Sequence, residues 1–340
     1  MDVKKIFKGI VLYLLGASLF FVLFAFAYFT AFSQTTAKPD KVKNILKDSG
    51  VYQKAPPVIY DKLAADAPES ASDIPLDNPL VRNAALDAFT PGFVQNNVEA
   101  VLDGTYEWLE GKAARPEFNT ELKNVKNRFA ASLSEQVGKR LAKLPPCRPG
   151  QHPPGLPIDP YKTACRPAGT DINAIKKQVR RSVAANDDFL NGDTASPAPE
   201  SGSNNSLFDK NSRFPEAYRS TLQMPYLLAA FAALLSAVII FISGKAAGLK
   251  KLALIFVLAG IFIVFVPLGF RLITDAFIKA ASGNNVVTEL VAPVLREFNQ
   301  AAAKVYYVIG AAHLALAIGA YLLFRRFQPP DKPLKKKAAK

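Results

Sequence analysis

Histidine, cysteine and tryptophan are scarce in this chain, which has two His, two Cys and one Trp among 340 residues. A Ser–His–acid or Cys–His arrangement would have to use His152, which lies in a proline-rich segment, because His313 lies in an apolar run. The sequence has no glycine-rich phosphate-binding loop, no H-E-x-x-H pair and no nucleophile elbow. These absences argue against an enzyme, so we expect no catalytic residue, no cofactor and no bound metal.

Charged residues are absent from four long apolar runs, at 9–32, 224–243, 252–270 and 305–324. Each run is about as long as the roughly 20-residue helix that crosses a bilayer. A buried core helix is the alternative interpretation, but four such runs in one chain favour membrane helices. The sequence therefore predicts an all-α, multi-pass membrane protein with four transmembrane helices.

Basic residues concentrate in three short segments, and this pattern predicts the topology. Segment 1–8 has three Lys and one Asp, segment 244–251 has three Lys, and segment 325–340 has seven basic residues and one Asp. Short positive segments mark the cytoplasmic side of a membrane. We therefore expect a plasma-membrane protein with both termini in the cytoplasm. Segments 33–223 and 271–304 are expected to lie outside the cell. The charge pattern indicates contact with the lipid bilayer and not with nucleic acid.

The first run exceeds the 7–15 apolar residues typical of a cleaved signal peptide, so we interpret it as an anchor that is retained. The segment that follows, 33–190, is long enough to form a helical domain outside the membrane. Residues 191–223, rich in Gly, Ser, Pro and Asn at their start, are expected to be a flexible linker that leads into the second span. The triplet at Asn204 is a weak glycosylation signal, because such triplets are frequent by chance.

Helical periodicity runs through the predicted outer domain. One helix is expected to begin with Thr90 as N-cap and Pro91 in its first turn and to end at Gly111. Two further helices have apolar stripes, and the stripe positions are Val125, Phe129, Leu133, Val137 and Leu141 in the first and Ile172, Ile175, Val179 and Val183 in the second. Shorter helices are predicted at Pro39–Lys47 and Pro57–Ala65, and one short strand at Pro116–Leu122. Segment 271–304 is predicted to extend the third and fourth spans as a helical hairpin, with its turn at residues 282–285.

Two features of the spans invite a functional interpretation. His313 is an ionisable group at membrane depth, where a proton relay is one hypothesis and a hydrogen bond to a neighbouring helix is the other. Small residues recur every fourth position in two spans, a spacing that lets helices pack closely within the bundle or between two copies of the chain. These residues are Ala311, Ala315 and Gly319 in the fourth span and Ala229, Ala233 and Ala237 in the second.

Both cysteines, Cys147 and Cys165, lie in the segment "LPPCRPGQHPPGLPIDPYKTAC". A metal site would need more ligands than His152 and Asp159 supply, and a redox pair would more naturally be C-x-x-C. Placed outside the cell, the two cysteines are expected to form a disulfide. In the chain-entropy model such a bond stabilises the folded state by about 3 kcal/mol. The five intervening prolines already restrict the unfolded chain and so reduce this contribution.

One anchor, a large outer segment and three further spans form an arrangement similar to that of FtsX- and MacB-type membrane subunits, which work with a cytoplasmic ATPase. This similarity is one of topology and carries over no motif or residue. The short inner segments 1–8 and 244–251 depart from that pattern, because they offer little surface for an ATPase. We expect a cell-envelope component that works through its outer helical domain in binding, adhesion or scaffolding, with a protein partner outside or a second copy of itself. The alternatives are a non-ATPase subunit of a transport or envelope-remodelling complex and, more weakly, a small transporter or channel.

Overall fold

The computed structural model describes residues 3–66, 74–116, 118, 120–151, 158–185, 194–195 and 213–328. The chain is helical, as predicted. The helices in chain order are α1 (Val3–Thr35), α2 (Pro39–Asp48), α3 (Val51–Asp66), α4 (Pro79–Ala88), α5 (Pro91–Leu109), α6 (Leu122–Lys143), α7 (Ile172–Ala185), α8 (Phe214–Ser243), α9 (Lys245–Ala280) and α10 (Ala292–Phe327). A π-helical turn, Val287–Val291, precedes α10. Among the described residues the β structure amounts to one isolated bridge and a two-residue antiparallel pair, β1 (Thr120–Glu121) with β2 (Thr194–Ala195).

The chain divides into two compact units. The bundle unit comprises Met1–Val42, Glu216–Phe277 and Leu295–Lys340, and the helical unit comprises Lys43–Pro215 and Ile278–Val294. Four helices are long and apolar enough to cross a membrane, at Ile6–Thr35, Phe214–Ser243, Lys245–Ala280 and Val287–Phe327. They contain the four apolar runs and extend beyond them. Their large exposed apolar side chains indicate a multi-pass membrane protein.

Neighbouring helices of the bundle unit alternate in direction, except that α1 and α9 run parallel. A Cβ at Gly16 would meet Ile255 at 3.4 Å, and further along both helices the rings of Phe20 and Phe262 lie 5.7 Å apart. Helix α10 is antiparallel to α9, because the ring of Phe270 lies beside that of Tyr306 while Lys250 lies over the ring of Phe324. The start of α1 and the end of α10 therefore lie at one end of the bundle.

The core of the helical unit is built from α4, α6 and α7. The apolar stripe that the sequence places on α6 is confirmed, since all five of its side chains are fully buried, and on α7 Val179 and Val183 are buried. Helix α5 begins as predicted: the Thr90 side chain accepts from the N–H of Phe93, and Pro91 occupies the first turn. Asp171 caps α7 by accepting from the N–H of Ala174. These agreements follow from periodicity and capping, which are local properties of the sequence.

Two helices of this unit differ from the sequence prediction. Helix α3 begins at Val51 and runs through Pro56 and Pro57, where a helix start was predicted at Pro57. The prolines remove two backbone donors, but Tyr52, Ala55 and Val58 are buried and favour helix across them. Helix α4 was not predicted. Its small buried residues give a weak periodic signal, although Asn78 caps it and Pro79 begins it.

The hairpin between α9 and α10 is confirmed as two helices joined by a turn near Gly283. The π-helical turn packs against α3, and both belong to the helical unit, so part of the hairpin is covered by the domain that precedes it in sequence. The face of α9 with Leu272, Ile273 and Phe277 remains exposed. Segment 244–251, expected to be a loop, is a single non-helical residue, Gly244, followed by the first turns of α9. Gly244 has φ of +85°, a conformation that glycine adopts without strain.

Candidate functional site

The segment between α6 and α7 is closed by a disulfide, as the sequence predicts. Cys147 and Cys165 are bonded, with Cα atoms 4.8 Å apart. Beside the bond the N–H of Cys147 donates to the carbonyl of Arg166 at 2.9 Å, and the N–H of Arg166 donates to the carbonyl of Pro145 at 2.8 Å. The two ends of the segment are therefore joined by backbone hydrogen bonds as well as by the covalent bond.

Arg140, in the last turn of α6, fixes the C-terminal half of this segment. Its guanidinium donates to the carbonyl of Pro160 at 3.1 Å and to that of Thr163 at 2.7 Å. Between these carbonyls, Tyr161 packs against the helical core, and its burial, together with the charge of Asp159, raises the pKa of the phenol. Residues 158–166 are thus held against the helical core, and residues 152–157, which include His152, lie outside the described residues.

A cationic groove opens beside the last two turns of α6. It has a volume of about 400 Å³, and its lining residues are Leu80, Gln136, Lys139, Arg140, Lys143 and Leu144. Three of the six are cationic and none is acidic. Lys139 and Lys143 are exposed and form no salt bridge with any residue that the structure describes. Two carboxylates stand beside the groove: Glu135, which interacts with the charge of Lys139, and Asp87, which accepts a hydrogen bond from the Gln136 amide. The groove therefore presents a positive charge to solvent that these two carboxylates offset in part.

Helix α7 adds to the positive charge of this part of the chain. Its residues Lys177, Arg180 and Arg181 are exposed, whereas Lys176 is paired with Glu135 of α6 and lowers the pKa of that carboxyl. Residues 122–185 contain 13 basic and 3 acidic residues, but residues 33–121 contain 9 basic and 14 acidic residues. Residues 33–223 as a whole contain 25 basic and 23 acidic residues, so the separation is not visible in the total charge of this segment.

Helix stability alone explains part of the pattern. Cations in the last turn of a helix interact favourably with the helix dipole, and Arg140 and Lys143 occupy such positions on α6. The last turn of α7 has no basic residue, so the same reason does not apply to Lys177 and Arg180.

His313 is buried in the bundle unit, with 4% of its surface exposed. Its Nδ1 lies 2.8 Å from the carbonyl oxygen of Ile309, one turn earlier in its own helix. Its ring is flanked by the rings of Phe26 and Phe256, with centroids 6.4 and 6.1 Å away. Its hydrogen bond is thus made within α10, and not to a neighbouring helix as expected. Within the described residues no charged side chain pairs with it, so the structure gives a proton relay no support.

The small residues singled out in the sequence lie on exposed faces of their helices. This holds for Ala311, Ala315 and Gly319 on α10 and for Ala229, Ala233 and Ala237 on α8. Their exposure among the described residues does not support packing within the bundle, and packing between two copies of the chain stays a prediction. The close helix contact is made instead by Gly260 and Gly310, because a Cβ on Gly310 would lie 3.2 Å from the carbonyl oxygen of Gly260.

The remaining sequence signals give no further site. Asn204 lies outside the described residues, so its glycosylation stays a prediction. In the parts of the chain that the structure describes, no three His, Cys, Asp or Glu residues are placed to hold a metal ion. The strongest arrangement is therefore the cationic groove together with the disulfide-closed segment beside it.

No protein-family model matches this chain, and no curated protein or solved structure shows significant similarity to it.

Proposed function

We propose that this protein is a plasma-membrane component of the cell envelope whose helical unit lies outside the membrane and binds an acidic protein partner. The observation that carries the proposal is the cationic groove, whose lining includes Lys139, Arg140 and Lys143 and no acidic residue. Complementary charge steers association and fixes the orientation of two partners more than it adds raw affinity. A protein that presents such a groove on a fixed surface is suited to binding or scaffolding.

The setting of the groove supports this role. The groove belongs to α6, whose inner face is fully buried, and Arg140 ties α6 to the disulfide-closed segment. Side chains on a rigid element lose less conformational entropy when they bind. A disulfide persists in an oxidising compartment, which agrees with an external location for the helical unit.

Topology is the first test. A membrane-impermeant maleimide should label Lys177→Cys, on the exposed surface of α7, in intact cells. It should label Lys245→Cys, at the start of α9, only after the membrane is opened. The reverse pattern would place the helical unit inside and contradict the proposal.

Binding is the second test, and it uses the full chain in detergent with immobilised poly-L-glutamate as the acidic probe. We expect the variant Lys139→Glu/Lys143→Glu to bind about tenfold more weakly than the wild type, and raised salt to weaken the wild type further. The matched control is Lys47→Glu/Lys54→Glu, which changes two exposed lysines in α2 and α3 and should retain most of the binding. Equal loss in both variants would reduce the effect to net charge and would contradict a specific groove.

In cells, a photo-crosslinker at position 143 should capture a protein whose contact peptides are acidic, and the adduct should disappear with Lys139→Glu. Stoichiometric co-purification of an ATPase would instead support the alternative of a transport or envelope-remodelling subunit. A solute or ion flux in liposomes would support a transporter and replace the proposal.

A further inference from the structure

A groove runs between the parallel helices α1 and α9 in the bundle unit. It has a volume of about 500 Å³ and is lined by eleven residues, of which ten are uncharged. The walls carry large apolar or aromatic side chains that are more than half exposed in the isolated chain, among them Tyr13, Phe21 and Leu254. In a membrane these walls face lipid, since both helices are long and apolar enough to cross it.

Glycines form the floor of this groove. A Cβ added to Gly9 would meet no atom within 4 Å, and one added to Gly16 would meet only Ile255, at 3.4 Å. The glycines are therefore not required for the approach of α1 to α9, and their effect is to leave space. From Gly9 to Phe21 the groove extends over twelve residues of α1, or about 18 Å. That length is close to one leaflet of the hydrocarbon core, about 15 Å.

One charged residue, Lys251, lies at the end of the groove. It is exposed, and it forms no salt bridge with a residue that the structure describes. It stands directly before the apolar run 252–270, at the boundary between polar and apolar sequence. The neighbouring charges are also positive: Lys8 precedes Gly9, Lys250 lies over Phe324, and Arg325 follows. No acidic residue occurs in 3–39, 244–274 or 298–328.

These observations specify a ligand with a long apolar chain and an anionic head. We propose that the groove between α1 and α9 binds an acyl chain of an anionic phospholipid, with the phosphate of its headgroup paired to Lys251. The acyl chain lies over the glycines and packs against the aromatic and leucine side chains of the walls. The charge of Lys251 favours an anionic headgroup. Cationic residues at the ends of transmembrane helices attract anionic headgroups in this way. The proposal concerns the bundle unit and does not depend on the partner of the helical unit.

Native mass spectrometry of the full chain tests the proposal, after release from phosphatidylcholine bilayers that contain a minority of phosphatidylglycerol. We expect the wild type to retain phosphatidylglycerol in preference to phosphatidylcholine. Lys251→Gln should reduce this preference about fivefold, the effect of one cation near an anionic headgroup. Gly9→Leu should reduce the retention of both lipids, because its side chain fills the floor of the groove.

Matched controls separate the groove from general effects. Lys245→Gln removes a cation that lies at the same end of α9 as Lys251 but does not line the groove. Gly269→Leu adds a side chain at a glycine of α9 that has open space around it and lies outside the groove. Both controls should retain phosphatidylglycerol as the wild type does. Photoactivatable phosphatidylglycerol adds a direct readout, since its acyl chain should cross-link to the peptides of α1 and α9 that contain Tyr13 and Leu254. Equal retention of the two lipids by the wild type, full retention by Lys251→Gln, or a second copy of the chain cross-linked through Tyr13 would each overturn the proposal.

Discussion

Gly260 of α9 and Gly310 of α10 face each other at a point where the two helices are in backbone contact. A Cβ on Gly310 would lie 3.2 Å from the carbonyl oxygen of Gly260 and 2.5 Å from Cγ2 of Val264, whereas Gly319 on the same helix has open space around it. A side chain at position 310 therefore requires Val264 to move. This is the small-residue contact that membrane helices use when apolar burial cannot drive them together.

Gly310→Ala should destabilise the bundle by about 1–3 kcal/mol, because a β-branched valine must move to admit the methyl group. Gly319→Ala changes the same residue type on the same helix without a clash and should be neutral or slightly stabilising. Thermal unfolding in detergent measures both. The combination Gly310→Ala/Val264→Ala should recover part of the loss, and a Gly310→Ala protein as stable as Gly319→Ala would contradict the packing described.

Removal of the disulfide should weaken the helical unit without unfolding it at room temperature. Cys147→Ser/Cys165→Ser is expected to cost about 2–3 kcal/mol, because a closed loop of this size restricts the unfolded chain. The backbone hydrogen bonds between Pro145, Cys147 and Arg166 hold the segment ends in the variant. Fluorescence of Trp108, the single tryptophan and 4% exposed, reports urea unfolding of this unit. Reductant should shift the wild-type midpoint toward that of the variant and leave the variant unchanged.

His313→Phe should fold with a cost of about 1–3 kcal/mol from added volume and should retain the cellular activity of the protein. The hydrogen bond that it loses goes to a carbonyl of its own helix, which the backbone of α10 already satisfies. His313→Leu provides a smaller apolar replacement and should behave alike. A variant that folds normally but loses activity at one pH and not at another would restore the relay hypothesis.

Two tyrosines of α3 should make the helical unit sensitive to alkali. Burial, the largest cause in each case, raises the pKa of both Tyr52 and Tyr60 to about 12, from an ordinary value near 10. The folded state favours the neutral phenol, so this contribution to stability is complete below about pH 10 and is lost as the pH rises toward 12. Trp108 fluorescence in urea at increasing pH measures the loss.

Phenylalanine variants separate the two contributions. The Tyr60 hydroxyl donates to the carbonyl of Leu76 at 2.6 Å, so Tyr60→Phe should cost about 1 kcal/mol at neutral pH. The buried Tyr52 hydroxyl lies near Glu99, whose charge also raises its pKa, but it makes no well-aligned hydrogen bond, so Tyr52→Phe should cost little at neutral pH. Each variant should flatten the alkaline decline. An unchanged alkaline decline in both would show that other groups cause it.

Local sequence signals predicted the spans, the main helices and the disulfide because each depends on residues close in sequence. Helical periodicity predicted which side chains of α6 are buried. The chain has only two cysteines, so each had one possible disulfide partner. The beginning of α3 was mispredicted because tertiary burial of Tyr52 outweighs the local effect of two prolines. The exposed position of Ala311 and Ala315 could not be predicted, since spacing defines a stripe but not the direction in which it faces.

The candidate binding features divide in the same way. The charge separation between residues 33–121 and 122–185 is present in the sequence and would have appeared had charge been counted in shorter windows. The convergence of Lys139, Arg140 and Lys143 with Leu80 required the packing of α4 on α6, which no local pattern reports. Likewise, the position of Lys251 at the end of a groove depends on the packing of α1 against α9, which the sequence does not report.

The single residue between α8 and α9 has a consequence for how the protein is made. Gly244 turns the chain, and Gly248 lies so close to Ile240 that a Cβ there would come within 2.6 Å of its Cα. Because a single residue connects the two helices, one helix cannot insert into a bilayer while the other remains far from it. We expect the translocation machinery to receive α8 and α9 as one preformed hairpin, so that a residue that lengthens the link would alter biogenesis before it altered the finished fold.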